Sequence, residues 1–221
     1  MNDDEIWAAI DEHRLRTADL LDSLSNDEWR HPSLCDGWTV HDVAAHLTLQ
    51  QIRLRDILPG AIRHPGGINR MIRESAKRRA GLSRQEIVGE IRRTVGSRRH
   101  NIGVTCRETL IDILVHSQDI ALPLGRRLDV DPRAAAEAAT RVWSYAGSGK
   151  ARVFRNIPLE NLRFTATDTP WSAGAGRAIE GPIIAILLVL TGRLATQSML
   201  SGEGTEALAG AWGGRGRPQQ P

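Results

Sequence analysis

Asp112 and His116 stand four residues apart in the run Asp112-Ile-Leu-Val-His116, the spacing that stacks two side chains on one face of a helix. With Glu108 one turn before and Asp119 about one turn after, they form a polar stripe. The rest of the segment is apolar: Leu110, Ile111, Ile113, Leu114, Val115 and Ile120. Acids and a histidine on such a helix need partners wherever their face is buried. A divalent cation is one such partner. His46, about two turns into another predicted helix, can complete a set of two imidazoles and one carboxylate. Three protein donors with a position left open is the arrangement of catalytic zinc sites, and it also suits other divalent metals. On spacing alone a second reading stands beside this one: two satisfied boundary histidines, and an aspartate paired with an arginine.

The elements that must position these residues are legible from caps and periodicity. Thr39 and Asp42 form a capping box opening the helix that carries His46. Trp38 before the cap and Val43 after it are spaced for a hydrophobic staple. That helix is expected from about Thr39 to Leu58, stopping at Pro59-Gly60. Upstream, Ile6, Trp7, Ile10, Leu20, Leu21 and Leu24 recur with helical period over residues 3–24. Ser25 and Glu28 repeat the capping spacing before Pro32. Residues 59–70 hold two prolines and three glycines and read as a loop, followed by a basic, partly helical stretch. Ser83 and Glu86 open a helix expected to reach about His100, with Ile87, Val88, Ile91 and Val95 on its apolar face. The Asp112 and His116 helix is expected from about Arg107 to Leu122, ending at Pro123 and Gly125. Four principal helices in this span predict a four-helix bundle over residues 1–128.

The composition then changes. Asp131-Pro132 starts an alanine-rich helix ending near Tyr145 or Gly147. Leu162, Phe164 and Ala166 alternate with Arg163, Thr165 and Thr167, a strand signal. Asp168 to Gly176 reads as a turn with a second short strand after it, and Glu180 to Arg193 as an apolar helix. Residues 129–212 are therefore expected to form a linking helix and a small α/β appendage, with a disordered Gly, Arg, Pro and Gln tail over 213–221. The fold class is mainly α, with a small C-terminal α/β part.

Charge and composition exclude several roles. The chain has 221 residues, 25% charged and 41% hydrophobic, with a net charge of +3; such values are ordinary for a globular protein with a proper core. Arg70, Arg73, Lys77, Arg78, Arg79, Arg84, Arg92, Arg93, Arg98 and Arg99 make the middle basic. No aromatic residue interleaves with them as a base-stacking platform, so nucleic acid is not the expected partner. These arginines read as a solvated face, one or two of which can hold an anionic substrate. The opening Met1-Asn2-Asp3-Asp4-Glu5 is acidic, unlike a secretory leader. The apolar run Ile183 to Leu190 is too short to span a bilayer. Two cysteines make no disulfide framework. The expected location is the cytoplasm, away from membranes.

The run Trp29-Arg-His-Pro-Ser-Leu-Cys35-Asp-Gly-Trp-Thr-Val-His-Asp-Val-Ala-Ala-His46-Leu resembles the opening of the mycothiol-dependent maleylpyruvate isomerase family, within the DinB-like metalloproteins. Val115-His116-Ser-Gln-Asp119-Ile-Ala-Leu-Pro-Leu-Gly125 is similar to the family's second signature. Phe164-Thr-Ala-Thr-Asp168-Thr-Pro-Trp171, with Gly174, Gly176, Gly181-Pro182 and Thr191-Gly192-Arg193, is similar to its third, a sterol-carrier-like appendage. The resemblance covers most of residues 5–212. It implies a DinB-like four-helix bundle whose metal set falls on His46, Asp112 and His116, with zinc as the occupant that the donor types suit best. The family carries glutamate where this chain has Asp112, one methylene shorter.

The remaining candidates follow from this frame. Asp42 is read as a cap. Asp119 is placed either to orient a liganding imidazole or to bond an arginine or the helix end. Gln118 is placed on the open side of the metal. Trp171 and Arg193 either line a cleft between bundle and appendage or pack there. Cys35 is read as a small buried apolar residue, and Cys106 as inert. The resulting expectation is a divalent-metal enzyme that uses a low-molecular-weight thiol, mycothiol by resemblance. Its reaction would be isomerisation or S-transfer on a small electrophilic, anionic substrate. A non-catalytic metal- or small-molecule-binding module and a metal-dependent hydrolase remain the competing readings. No catalytic residue beyond the ligand set is singled out, and the sequence names neither the electrophile nor an oligomeric state.

Overall fold

The structure, a computed structural model, describes residues 1–51, 81–101, 103–145 and 160–208. The expected end of the His46 helix at Leu58, the loop over 59–70, most of the basic stretch and the tail from Gly213 lie outside them. The chain divides into two compact units, Met1–Val130 and Asp131–Pro221. Its fold is mainly helical, with one small sheet in the second unit.

In the first unit, α1 (Asp3–Asp22) is opened by Asn2 and Glu5, each bonding the other's backbone N–H, and its first turn is acidic, as the helix dipole favours. Its buried face runs Ile6, Trp7, Ile10, Arg14, Thr17, Ala18 and Leu21, so a charged residue interrupts an otherwise core-forming row. A short α2 (Asn26–Arg30) buries Trp29. Next come α3 (Val40–Leu47), α4 (Arg84–Arg93) and α5 (Cys106–Ala121). Each is closed at its start by a reciprocal cap: Thr39 with Asp42, Ser83 with Glu86, and Thr105 with Glu108. Both α1 and α3 pack against α4 and α5.

Two boundaries and one residue role differ from expectation, for local reasons. Regular helix in α3 stops at Leu47, where the Thr48 hydroxyl turns back to the Ala45 carbonyl at 2.7 Å and residues 48–51 form turns. The α4 helix ends at Arg93 rather than near His100, because α1 takes over its carboxyl end. Arg14 Nη1 donates to the carbonyls of Thr94 (2.8 Å) and Ser97 (3.3 Å), and Asp11 accepts from the Gly96 N–H at 2.9 Å. Glu108 is not part of a site stripe: its carboxylate accepts from Thr105 N and Oγ1, both at 2.6 Å.

The second unit begins with α6 (Pro132–Trp143), capped by Asp131 with Pro132 in the first turn. Its buried stripe of Ala134, Ala135, Ala138, Ala139 and Val142 lets α7 (Ile183–Leu190) pack closely on it. The sheet has three strands rather than two: β1 (Leu162–Ala166), β2 (Ser172–Gly174) and β3 (Arg177–Gly181), in the order β2-β1-β3. β2 pairs antiparallel and β3 parallel with β1, Phe164 facing Ile179 across the latter register. The chain must therefore pass from one side of β1 to the other within a few residues. Glycine permits this, since a Cβ on Gly174 or Gly176 would lie 2.2 Å from the carbonyl oxygen of Leu162 or Asn161. Because β3 takes Glu180 and Gly181, α7 starts only at Ile183, whose N–H donates to Asp168 at 2.8 Å.

Candidate metal centre

His46 sits in the last turn of α3, and Asp112 and His116 lie one turn apart on α5, the helix against which α3 packs. The tips of the three side chains converge. Asp112 Oδ1 lies 3.3 Å from His46 Nε2 and 3.5 Å from His116 Nε2, and the imidazole centroids are 4.8 Å apart. The side chains are 15%, 30% and 18% exposed for His46, Asp112 and His116, so the cluster is sheltered and none of the three is fully buried. These separations are long for hydrogen bonds, which peak near 2.9–3.0 Å. They match the edge of a tetrahedron with zinc–nitrogen and zinc–oxygen bonds of about 2.0–2.1 Å, an edge of roughly 3.3–3.4 Å. The residues present fit a small divalent cation.

Electrostatics agree with that fit. Partial burial pushes the Asp112 carboxyl up, but the two imidazoles and the Gln50 amide outweigh it and hold the group well below the usual carboxylate range. Asp112 is therefore an anion at neutral pH.

A second layer surrounds the cluster. Asp119, fully buried, accepts from His116 Nδ1 at 2.8 Å, which leaves the Nε2 lone pair facing Asp112. Asp119 thus bonds the His116 imidazole. Cys35 is only half-buried and is not an inert apolar residue: its thiol donates to Asp119 Oδ2 at 3.1 Å and lies 3.7 Å from His116 Nδ1. Cys35, His116 and Asp119 are close enough to form a donor group of their own. The 2.8 Å between His116 and Asp119 is nevertheless a hydrogen bond, too short for two donors around one cation. The loop that carries Cys35 is clamped to α5 by Leu34 N–H donating to the Asp119 carbonyl at 3.1 Å. It turns at Gly37, where φ is 74°, and sets Trp38 edge-on to His46 at 5.6 Å. His46 Nδ1, buried, has no hydrogen-bond partner among the described residues, so the neighbouring rings orient His46 where a carboxylate orients His116.

Other candidates are placed elsewhere. Asp42 Oδ2 accepts from Thr39 N and Oγ1 at 2.9 and 2.7 Å, as a cap should. Gln118 is buried and its Nε2 donates to the Leu128 carbonyl at 2.8 Å, pinning the segment after α5 rather than facing the cluster. In the second unit, Trp171 Nε1 donates to Thr140 Oγ1 at 2.9 Å and Arg193 Nη1 to the Thr191 carbonyl at 2.6 Å. Cys106 is buried, and burial pushes its thiol up. Two residues escaped sequence reasoning. Gln50 Nε2 donates to Asp112 Oδ2 at 2.8 Å, and Arg14 backs Gln50 from behind. The signals were present: Gln50 follows His46 by four residues, and Arg14 sits on the apolar row of α1.

Fold and site together define a class: a helical unit that gathers two histidines and a carboxylate from two packed helices, followed by a small α/β unit. Residues 10–102 match the family model of the mycothiol maleylpyruvate isomerase N-terminal domain, the family that the sequence motifs resemble. The match includes His46; Asp112 and His116 lie beyond it. Two solved structures share the fold: the mycothiol-dependent maleylpyruvate isomerase, with a TM-score of 0.59, and a mutant of it, with 0.61. Each is 14% identical and aligns over 100% of this chain and 97% of its own. No curated protein matches the sequence. Among the described residues no helix is long and apolar enough to cross a membrane.

Proposed function

We propose that this protein is a divalent-metal enzyme using a low-molecular-weight thiol, mycothiol, for isomerisation or S-transfer on a small electrophilic, anionic substrate. The observation that carries the reading is the single carboxylate oxygen of Asp112 set 3.3 and 3.5 Å from two imidazole nitrogens of a sheltered cluster. The isomerase that shares the fold is mycothiol-dependent. The four longer helices of the first unit are read as the four-helix bundle that presents the centre.

In this reading His46 Nε2, His116 Nε2 and Asp112 Oδ1 hold the cation, for which zinc suits the donor set best. The cation supplies Lewis acidity, which favours the deprotonated form of an incoming thiol at neutral pH. Asp112 stays anionic and offsets the cation's charge. Asp119 keeps the His116 proton on Nδ1. The Trp38 ring walls the flank of His46 and limits water there. Trp171 and Arg193 are proposed as substrate-handling groups contributed by the second unit, the arginine for a carboxylate. Use of a reduced thiol suits the cytoplasm.

The test is to load full-length protein with Zn2+ and follow isomerisation of maleylpyruvate and loss of free thiol, with and without mycothiol. Mycothiol-dependent turnover, or conjugation of mycothiol to the electrophile, is expected. Tight metal binding without turnover would make the protein a binding module. Hydrolysis that ignores the thiol would make it a hydrolase.

A further inference from the structure

We propose that Gln50, held by the buried Arg14, is a positioning residue that caps Asp112 Oδ2 and leaves Oδ1 as the only donor this carboxylate offers to the cluster. The inference rests on the metal-site reading above and concerns how that site chooses its cation.

Arg14 is fully buried, which is costly for a cation unless its donors are used. They are. Nη1 donates to Asp11 Oδ1 at 3.2 Å and to the Thr94 and Ser97 carbonyls at 2.8 and 3.3 Å. Nε and Nη2 converge on Gln50 Oε1 at 3.4 and 3.2 Å. A guanidinium has only donors, so the amide oxygen of Gln50 must face it. The orientation of the amide is thereby decided, and its NH2 must point the other way. There it donates to Asp112 Oδ2 at 2.8 Å. Gln50 is itself 6% exposed, so water does not compete freely for either end. The result is a chain of donors running one way, from a buried cation through an amide to a carboxylate.

A carboxylate with one oxygen engaged in this way does not readily swing to grip a cation with both. The centre then offers three single-atom donors, two of them imidazoles. That set suits zinc, whereas larger, oxygen-seeking cations such as Mn2+ gain from a second carboxylate oxygen. Arg14 and Gln50 thus act on the cation through Asp112 and touch no reacting group.

The experiment uses full-length wild type, Gln50→Met and Gln50→Glu, stripped of metal and titrated with Zn2+ alone and Mn2+ alone against a chromophoric chelator. Thermal unfolding of each metal-free form is recorded alongside. Gln50→Met removes both ends of the link. Gln50→Glu keeps an acceptor for Arg14 but removes the donor to Asp112, and it is the decisive arm if the methionine variant does not fold. Gln50→Met should weaken Zn2+ binding by about 10–100-fold, the usual effect of losing a ligand's hydrogen-bond partner, and weaken Mn2+ binding less. In both folded variants the preference for Zn2+ over Mn2+ should narrow by about tenfold, since a merely destabilised site would lose the two cations alike. A Zn2+ to Mn2+ preference within about twofold of wild type in the folded variants would overturn the proposal. If wild type binds neither cation, the metal reading itself falls and takes this inference with it, a result distinct from unchanged selectivity.

Discussion

His116 is engaged at both ring nitrogens, Nδ1 by its hydrogen bond to Asp119 and Nε2 by facing Asp112 Oδ1, and that makes it the most sensitive residue of the centre. His116→Ala should weaken Zn2+ binding beyond the roughly 10–100-fold that the loss of an outer partner costs, whereas Asp119→Asn should fall inside that range. Competition titration of the metal-free proteins checks both. Asp42→Ala should leave Zn2+ affinity near wild type and lower stability by about 0.5–2 kcal/mol, because its carboxylate serves only the start of α3. Complete loss of metal in that variant would show that the cap reading is wrong. His13 makes a different prediction. It is buried in α1 against the Ser117 hydroxyl, 2.7 Å away, and burial, helped by Arg16, lowers it from 6.5 to about 4. The folded state thus prefers neutral His13, while the unfolded chain takes up a proton below 6.5. Its contribution is complete above pH 6.5, declines as pH falls from 6.5 to about 4, and is constant below; over that window it is worth ~3 kcal/mol. Urea unfolding of wild type and His13→Gln across pH 4–7 should differ in slope by this proton.

At the scale of elements, the helices of the first unit are terminated by one another as much as by their own residues. The end of α4 is held by Arg14 and Asp11 of α1, so Arg14→Met takes the guanidinium away from the Thr94 and Ser97 carbonyls and from Asp11 Oδ1. The expected cost is about 2–5 kcal/mol, with faster amide exchange confined to the end of α4. Hydrogen exchange spread evenly over the unit would contradict this. α2 is tied to the segment after α5 in a similar way. Glu28 accepts from the Ser25 backbone N–H and from Arg126, and these partners lower its carboxyl from 4.5 to about 2. A depressed acid stabilises the fold above its unfolded value and loses that contribution as pH drops from 4.5 to about 2. Glu28→Gln should remove that part of the acid sensitivity in a pH titration of stability.

For the whole molecule, the division into two units makes a separable prediction. Among the described residues the candidate centre draws its three donors from α3 and α5 of the first unit, with outer partners on α1, the Cys35 loop and Gln50. A chain ending at Val130 should keep its helicity and most of its Zn2+ affinity. If the second unit supplies the groups that handle substrate, the same chain should lose thiol-dependent turnover. Turnover at the full-length rate would remove Trp171 and Arg193 from the reaction.

Much of this was legible in the sequence, because it depends on near neighbours. The reciprocal caps at Ser25, Thr39 and Ser83 mark helix starts to the residue, since a cap is a contact over three positions. The shared face of Asp112 and His116 is likewise a property of helix pitch. Where helices stop was less legible. α4 ends early because carbonyls are taken by a guanidinium some eighty residues away, and α7 starts late because β1 recruits Glu180 and Gly181 into a parallel pairing. The site divides along the same line. Donor types and spacing nominate His46, Asp112 and His116, but only the packing of α3 on α5 brings His46 to Asp112. The spacing of Gln50 from His46 and the place of Arg14 on an apolar row mark these residues, but no local pattern names their partners or that of Cys35. Their roles arise because a buried polar group must find a partner, and which partner lies within reach is decided when the chain has folded.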